Sequence, residues 1–210
     1  MQTTDNRNRH PGDPADDVLM TAVRDGDIDR LGVLFDRYGN RLYGYFVRVT
    51  GNEDLSWDFV QDVFFRILKY RQSYRPGGRF YSWMFQIAHN VVRSHFGKRD
   101  REVPLEPFHE DRAASADVLP LRRLETEEQH EMLNDAFTKL SDDKREILSM
   151  SHFERVPYAD IALALDCSVG AVKVRVHRAV KALKDIYIEL QKNETTRRPN
   201  RRDTTGGAPD

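Results

Sequence analysis

The chain has 210 residues, with 39% hydrophobic and 32% charged side chains and a formal net charge of −1. That length suits one or two domains, and the balance excludes a wholly disordered chain and a membrane-spanning one, since no apolar run reaches span length. The single cysteine, Cys167, rules out an intramolecular disulfide and fits a reducing cytoplasm; the polar N-terminus carries no signal-peptide core.

In chain order, residues 1–15 read as a polar, Pro- and Gly-containing disordered tail. A short helix follows over Asp16–Asp25, with Val18, Leu19, Ala22 and Val23 inward and Gly26 ending it. A longer one presents Leu31, Phe35, Tyr38, Leu42 and Val49, and breaks at Thr50-Gly51-Asn52. Leu55, Phe59, Val63 and Ile67 mark a third at helical spacing, with Asp58, Gln61, Asp62 and Arg66 on its polar face. By themselves these polar residues describe only a solvated helix face.

A basic loop broken by Pro76 and two glycines leads into a fourth helix carrying Phe80, Met84, Ile87 and Val91. Loop and helix interleave aromatic and cationic or polar side chains: Tyr74, Arg75, Arg79, Trp83, Asn90, Arg93 and Lys98. Rings that stack on unpaired bases beside cations that hold phosphates are what single-stranded DNA requires. For Trp83 a core position is an equal alternative.

The near-zero net charge conceals opposed blocks. Residues 66–101 hold nine Lys/Arg against one acid; residues 102–131 hold nine acids against three arginines. Such asymmetry points to nucleic acid as a partner. The stretch 102–126, with three prolines and little periodicity, reads as a flexible acidic linker between domains at 16–101 and 127–192, with a second disordered tail at 193–210.

In the second domain, Leu133, Phe137 and Leu140 form one stripe, and Ser141 is placed to cap a helix bearing Ile147 and Met150, with Phe153 flanking it. Residues 157–165 then supply a short helix. After a turn at Asp166 and Cys167, Ser168 caps a helix whose apolar stripe is Val172, Val176, Ala179 and Leu183 and whose outer face carries Lys173, Arg175 and Arg178. Small Ala162 lets the two helices cross closely, and Asp166 tolerates the left-handed turn conformation. A cationic second helix after a short turn suits the DNA major groove. The fold expected is therefore all-α: two small helical domains joined by a flexible acidic linker, the second a helix-turn-helix.

No metal-ligand spacing, nucleophilic triad or nucleotide-binding loop occurs: His89 and His95 stand six residues apart, and no cysteine pair supports zinc. No enzyme activity, metal or cofactor is expected. The residues leave open a plain DNA-binding regulator acting without polymerase, or a mimic that titrates a regulatory partner.

Over residues 16–190 the chain resembles the extracytoplasmic-function (ECF) sigma factors of the bacterial sigma-70 family. The segment Trp57-Asp58-Phe59-Val60-Gln61-Asp62-Val63-Phe64 is similar to the family's core-binding helix. Residues Phe80 to Asn90 are similar to its −10 segment, and Leu140 through Leu183 to its −35-binding helices. His89, Ser94, Ser141, Ala171 and Val174 depart from the usual residues. The resemblance implies promoter-specific transcription initiation with core RNA polymerase. Asp58, Gln61 and Asp62 would contact the core enzyme. Tyr74, Arg75, Arg79, Trp83, Asn90, Arg93 and Lys98 would meet the opened −10 strand, and Ser168, Lys173, Arg175 and Arg178 the −35 duplex. It also implies an anti-sigma partner that holds the two domains closed. The acidic linker would be drawn into the cationic channels of the polymerase.

Overall fold

The computed structural model describes residues 14–77, 79–96 and 127–197; the expected linker, Lys98 and most of both expected tails lie outside them. The described residues are helical, without strands. In the first half, α1 spans Pro14–Asp25, α2 Arg30–Thr50, α3 Glu53–Lys69 and α4 Phe80–Phe96, with a single 3-10 turn at Arg71–Ser73. In the second, α5 spans Glu127–Thr138, α6 Asp142–Leu148, α7 Tyr158–Ala164 and α8 Val169–Arg197, with a π-helical turn at Ser149–Phe153.

The turn between α2 and α3 follows from three residues. Gly51 adopts φ 68°, a left-handed position that closes α2 through its N–H on the Val47 carbonyl, 2.9 Å away. Asn52 is extended, and its side chain accepts from Leu55 N–H at 3.0 Å to open α3. The paired helices then bury Leu34, Leu42, Phe46 and Val49 against Phe59, Val60, Val63 and Ile67.

Helix α1 differs from the expected stripe. Val18 faces solvent at 69% exposure, and Met20 and Asp16 are buried instead. The inward carboxylate of Asp16 is satisfied by Arg37 Nη1 at 2.5 Å and by the Tyr38 hydroxyl, which removes the penalty of a buried charge. Phe35 also lies at the surface, its ring edge-on to Phe64 at 4.9 Å. Ser141 occupies the position before α6 but makes no side-chain cap bond. Helix α8 runs to Arg197, beyond the boundary expected at 192, because after Gly170 neither Gly nor Pro occurs before Pro199.

The two halves pack on each other, and their buried side chains form one continuous cluster. Helices α2 and α4 meet α6, the π-turn and α7. The contact is polar at its centre. Glu154, 3% exposed, receives Arg41 Nε at 2.5 Å and also Arg48, while the Tyr81 hydroxyl donates to its backbone carbonyl at 2.5 Å. Glu146 receives the Tyr45 hydroxyl at 3.0 Å and lies 2.8 Å from His89 Nδ1. Asp160 receives the Ser82 hydroxyl at 2.6 Å and pairs with Arg79 at 3.5 Å.

Candidate nucleic-acid and polymerase interfaces

The loop entering α4 is fixed from a distance. One oxygen of Asp17, on α1, accepts both the Tyr74 hydroxyl at 2.6 Å and Phe80 N–H at 2.8 Å. A carboxylate is thus placed at the positive end of α4, where the first N–H groups lack partners. Gln72 donates to the Arg24 carbonyl at 2.7 Å, a second tie to α1. Burial and the neighbouring Asp17 carboxylate both push the Tyr74 phenol well above its ordinary range, so it stays a hydrogen-bond donor.

Tyr74 therefore does not offer its ring to a base. It is 3% exposed and lies 5.1 Å from the Trp83 ring, which it supports from below. Trp83 itself is half-buried and turns one side to an open cavity of about 620 Å³. Asn90 and Arg93 line the same cavity, about two and three turns further along α4. Arg66, Tyr70, Ser73 and Gln86 also line it, and of these Arg66 and Gln86 were not singled out for this site from the sequence. The missed signal was their position: the last turn of α3 ends beside the middle of α4. Arg75 is exposed on the loop, and Arg79, also exposed, leans toward Asp160.

On α3, Asp58 and Gln61 are exposed, and Asp62 is half-buried with its carboxylate on Arg66 at 2.9 Å. Their spacing of three and four residues sets all three on one face. Trp57 beside them stacks on Tyr43 at 4.6 Å.

In the second half, the α7–α8 turn is built from Asp166 at φ 50°, followed by Cys167, whose N–H returns to the Ala162 carbonyl at 3.0 Å. This six-to-one closure lets an aspartate take the place glycine usually holds. Ser168 then accepts Ala171 N–H at 3.1 Å, opening α8. Val172, Val176, Ala179 and Leu183 are buried, which turns Lys173, Arg175 and Arg178 to solvent. Burial raises the Asp143 carboxyl above its ordinary value, Glu146 adds to this, and Arg175 opposes it.

Among the described residues no His, Cys, Asp and Glu cluster suits a metal, and no helix is long and apolar enough to cross a membrane.

Both halves of the chain match known family models. Residues 34–102 match the family model for sigma-70 region 2, and residues 130–183 that for sigma-70, region 4. The chain is 31% identical over 173 residues to the ECF RNA polymerase sigma-E factor of Haemophilus influenzae, covering 78% of this chain and 90% of that one. It is also 31% identical over 172 residues to the RNA polymerase sigma factor CarQ of Myxococcus xanthus, covering 82% and 97%. Its fold matches a solved structure of CnrH in complex with the cytosolic domain of CnrY, at a TM-score of 0.57 and 25% identity over 82% of this chain and 96% of that one. With both regions in order along one chain and such relatives matched over nearly their whole length, the protein belongs to the ECF RNA polymerase sigma factors of the sigma-70 family.

Proposed function

We propose that the sigma factor uses its three solvent faces together, as a non-enzymatic specificity subunit in the cytoplasm. Asp58, Gln61 and Asp62 on α3 dock on core RNA polymerase. Ser168, Lys173, Arg175 and Arg178 enter the major groove of the −35 element, where cations meet phosphates and forked donors read base edges. Trp83, Asn90 and Arg93, with Arg75, Arg79 and Lys98 nearby in sequence, hold the opened −10 strand; Tyr74 acts by supporting Trp83. The functional domains are 16–101 and 127–192, with 102–126 as the linker.

The observation that carries this reading is the cavity beside Trp83, where an aromatic face, two carboxamides and two arginines converge at an open surface. An apolar face with flanking cations accepts an unpaired base and its phosphate, and offers little to duplex DNA. The closed packing of the two halves supports a further partner. A protein holding this arrangement, as an anti-sigma factor would, keeps Arg79 on Asp160 and away from phosphate.

Run-off transcription with bacterial core polymerase and a genomic promoter library tests the proposal. Transcripts that depend on this protein and share a −35/−10 pair are expected. DNA binding by the free protein with no transcript from the supplemented core enzyme would overturn it in favour of a plain regulator.

A further inference from the structure

We infer that Val174, with Ala171 one turn before it, is a specificity-determining residue of α8 that reads the C5-methyl group of a thymine in the −35 duplex. The inference rests on the −35 reading given above, which assigned only polar and cationic contacts, and adds an apolar contact to it.

Helix geometry sets Val174 on the outermost side of α8. Each residue turns the helix by about 100°, so Val174 stands about 200° from Val172 before it and from Val176 after it. Both of those valines are buried, as is Ala179. Val174 therefore projects from the side opposite the apolar stripe. The exposed Lys173 and Arg175 flank it, and the exposed His177 and Arg178 follow one turn later. A half-buried valine in that place adds nothing to the stripe that holds α8 to its domain.

The surface before it is low. Gly170 and Ala171 lie one turn N-terminal to Val174, and a Cβ added at Gly170 would meet only Ser168 Oγ within 4 Å, at 3.7 Å. Ser168 fixes this turn twice, its hydroxyl accepting Ala171 N–H and its carbonyl Val172 N–H, each at 3.1 Å. Helical side chains lean toward the N-terminus, so Val174 tilts over this small surface. The N-terminal part of a recognition helix is what meets base edges. Glycine and alanine let its backbone approach them closely, while the longer cationic side chains around Val174 reach outward to phosphates.

The chemistry of the patch selects the base. Val174 and Ala171 offer methyl groups and no hydrogen bond. The family resemblance has serine and threonine at these two positions, whose hydroxyls bond donors and acceptors alike. In the major groove thymine alone presents a methyl group. Pressed on an adenine, guanine or cytosine edge, Val174 would strip water from polar groups and return no bond. Its single favoured rotamer in a helix makes the contact at little ordering cost.

The test uses holoenzyme on a promoter it transcribes, with each −35 thymine replaced in turn by uracil, which lacks only the C5-methyl group. Fluorescence anisotropy should show the wild type losing affinity about fourfold at one position, the equivalent of one buried methyl group. Val174→Ala should bind the thymine duplex about fourfold more weakly and be indifferent to uracil at that position, and Val174→Ser should be equally indifferent. Thermal stability should fall in neither variant. Uracil sensitivity at no position, or unchanged sensitivity in both variants, would overturn the role of Val174 and leave the −35 reading intact. Wild-type holoenzyme that binds a scrambled −35 duplex as tightly as the native one would overturn both.

Discussion

The carboxylate of Glu154, on the turn that follows the π-helical segment, receives Arg41 Nε from α2 at 2.5 Å across the boundary between the two halves. Arg48 joins the same carboxylate, and its guanidinium covers the Phe153 ring at 4.7 Å. The π-turn sets this up: Glu154 N–H bonds Ser149 O at 2.9 Å, five residues back, and Arg155 takes φ 53° immediately after. A wider turn followed by a left-handed residue aims an acidic side chain inward where a regular helix would carry it past the interface. One glutamate thus ties together two arginines that are themselves only partly shielded from water.

Glu154→Gln should open this contact. The two guanidiniums keep some solvent, so the loss is smaller than for a fully buried pair, on the order of 1–3 kcal/mol. Small-angle scattering of the free protein should show a larger radius of gyration with helicity by circular dichroism unchanged. Superimposable scattering curves for variant and wild type would show that apolar packing alone holds the halves together.

His89 and Glu146 supply a second tie. A double-mutant cycle with His89→Ala and Glu146→Gln should give a coupling of about 0.5–1.5 kcal/mol in urea denaturation, because each partner is buried and faces the other at 2.8 Å. Additive single effects would mean that Tyr45, which also donates to Glu146, carries the contact by itself.

The helix stripes were legible because each obeys a local period. Leu42, Val63, Met84 and Val176 are all buried as their spacing requires. Reading fails where a polar residue occupies an inward position. On α1 the inward Asp16 pairs with Arg37 and Tyr38, residues on another helix, so the apolar pattern points to Val18 by mistake. Tyr74 looks like a free loop aromatic until Asp17, 57 residues away, claims its hydroxyl. The contacts between halves are less legible still: Arg41 and Glu154 lie 113 residues apart, and no spacing rule connects them. His89 stands out in sequence only as a departure from its family, and its pairing with Glu146 supplies the reason.

His152, in the π-turn, gives a pH dependence. Burial lowers its pKa from the ordinary 6.5, and its Nε2 is buried without a partner. The unfolded chain therefore binds a proton more readily than the folded one. The stability this neutral histidine permits is complete above the unfolded value and is lost as pH falls below it toward the folded value. Thermal melts should show wild type losing more stability than His152→Leu between pH 7.5 and about 5.5. Parallel pH profiles would place the titration elsewhere.

Lys173 and Arg175 are both exposed on α8 but differ in chemistry, and that difference can be measured. A lysine ammonium is a point charge suited to phosphate, whereas the arginine fork can bond two acceptors of a guanine edge. Lys173→Ala should weaken all duplexes alike and lower the slope of log K against log salt by about 0.9. Arg175→Ala should instead cost ~1–3 kcal/mol of discrimination at one −35 base pair. Fluorescence anisotropy with holoenzyme, on −35 duplexes varied one base pair at a time across a salt series, separates the two. If both variants change only the salt slope, α8 grips the backbone, and −35 specificity must come from the shape of the DNA.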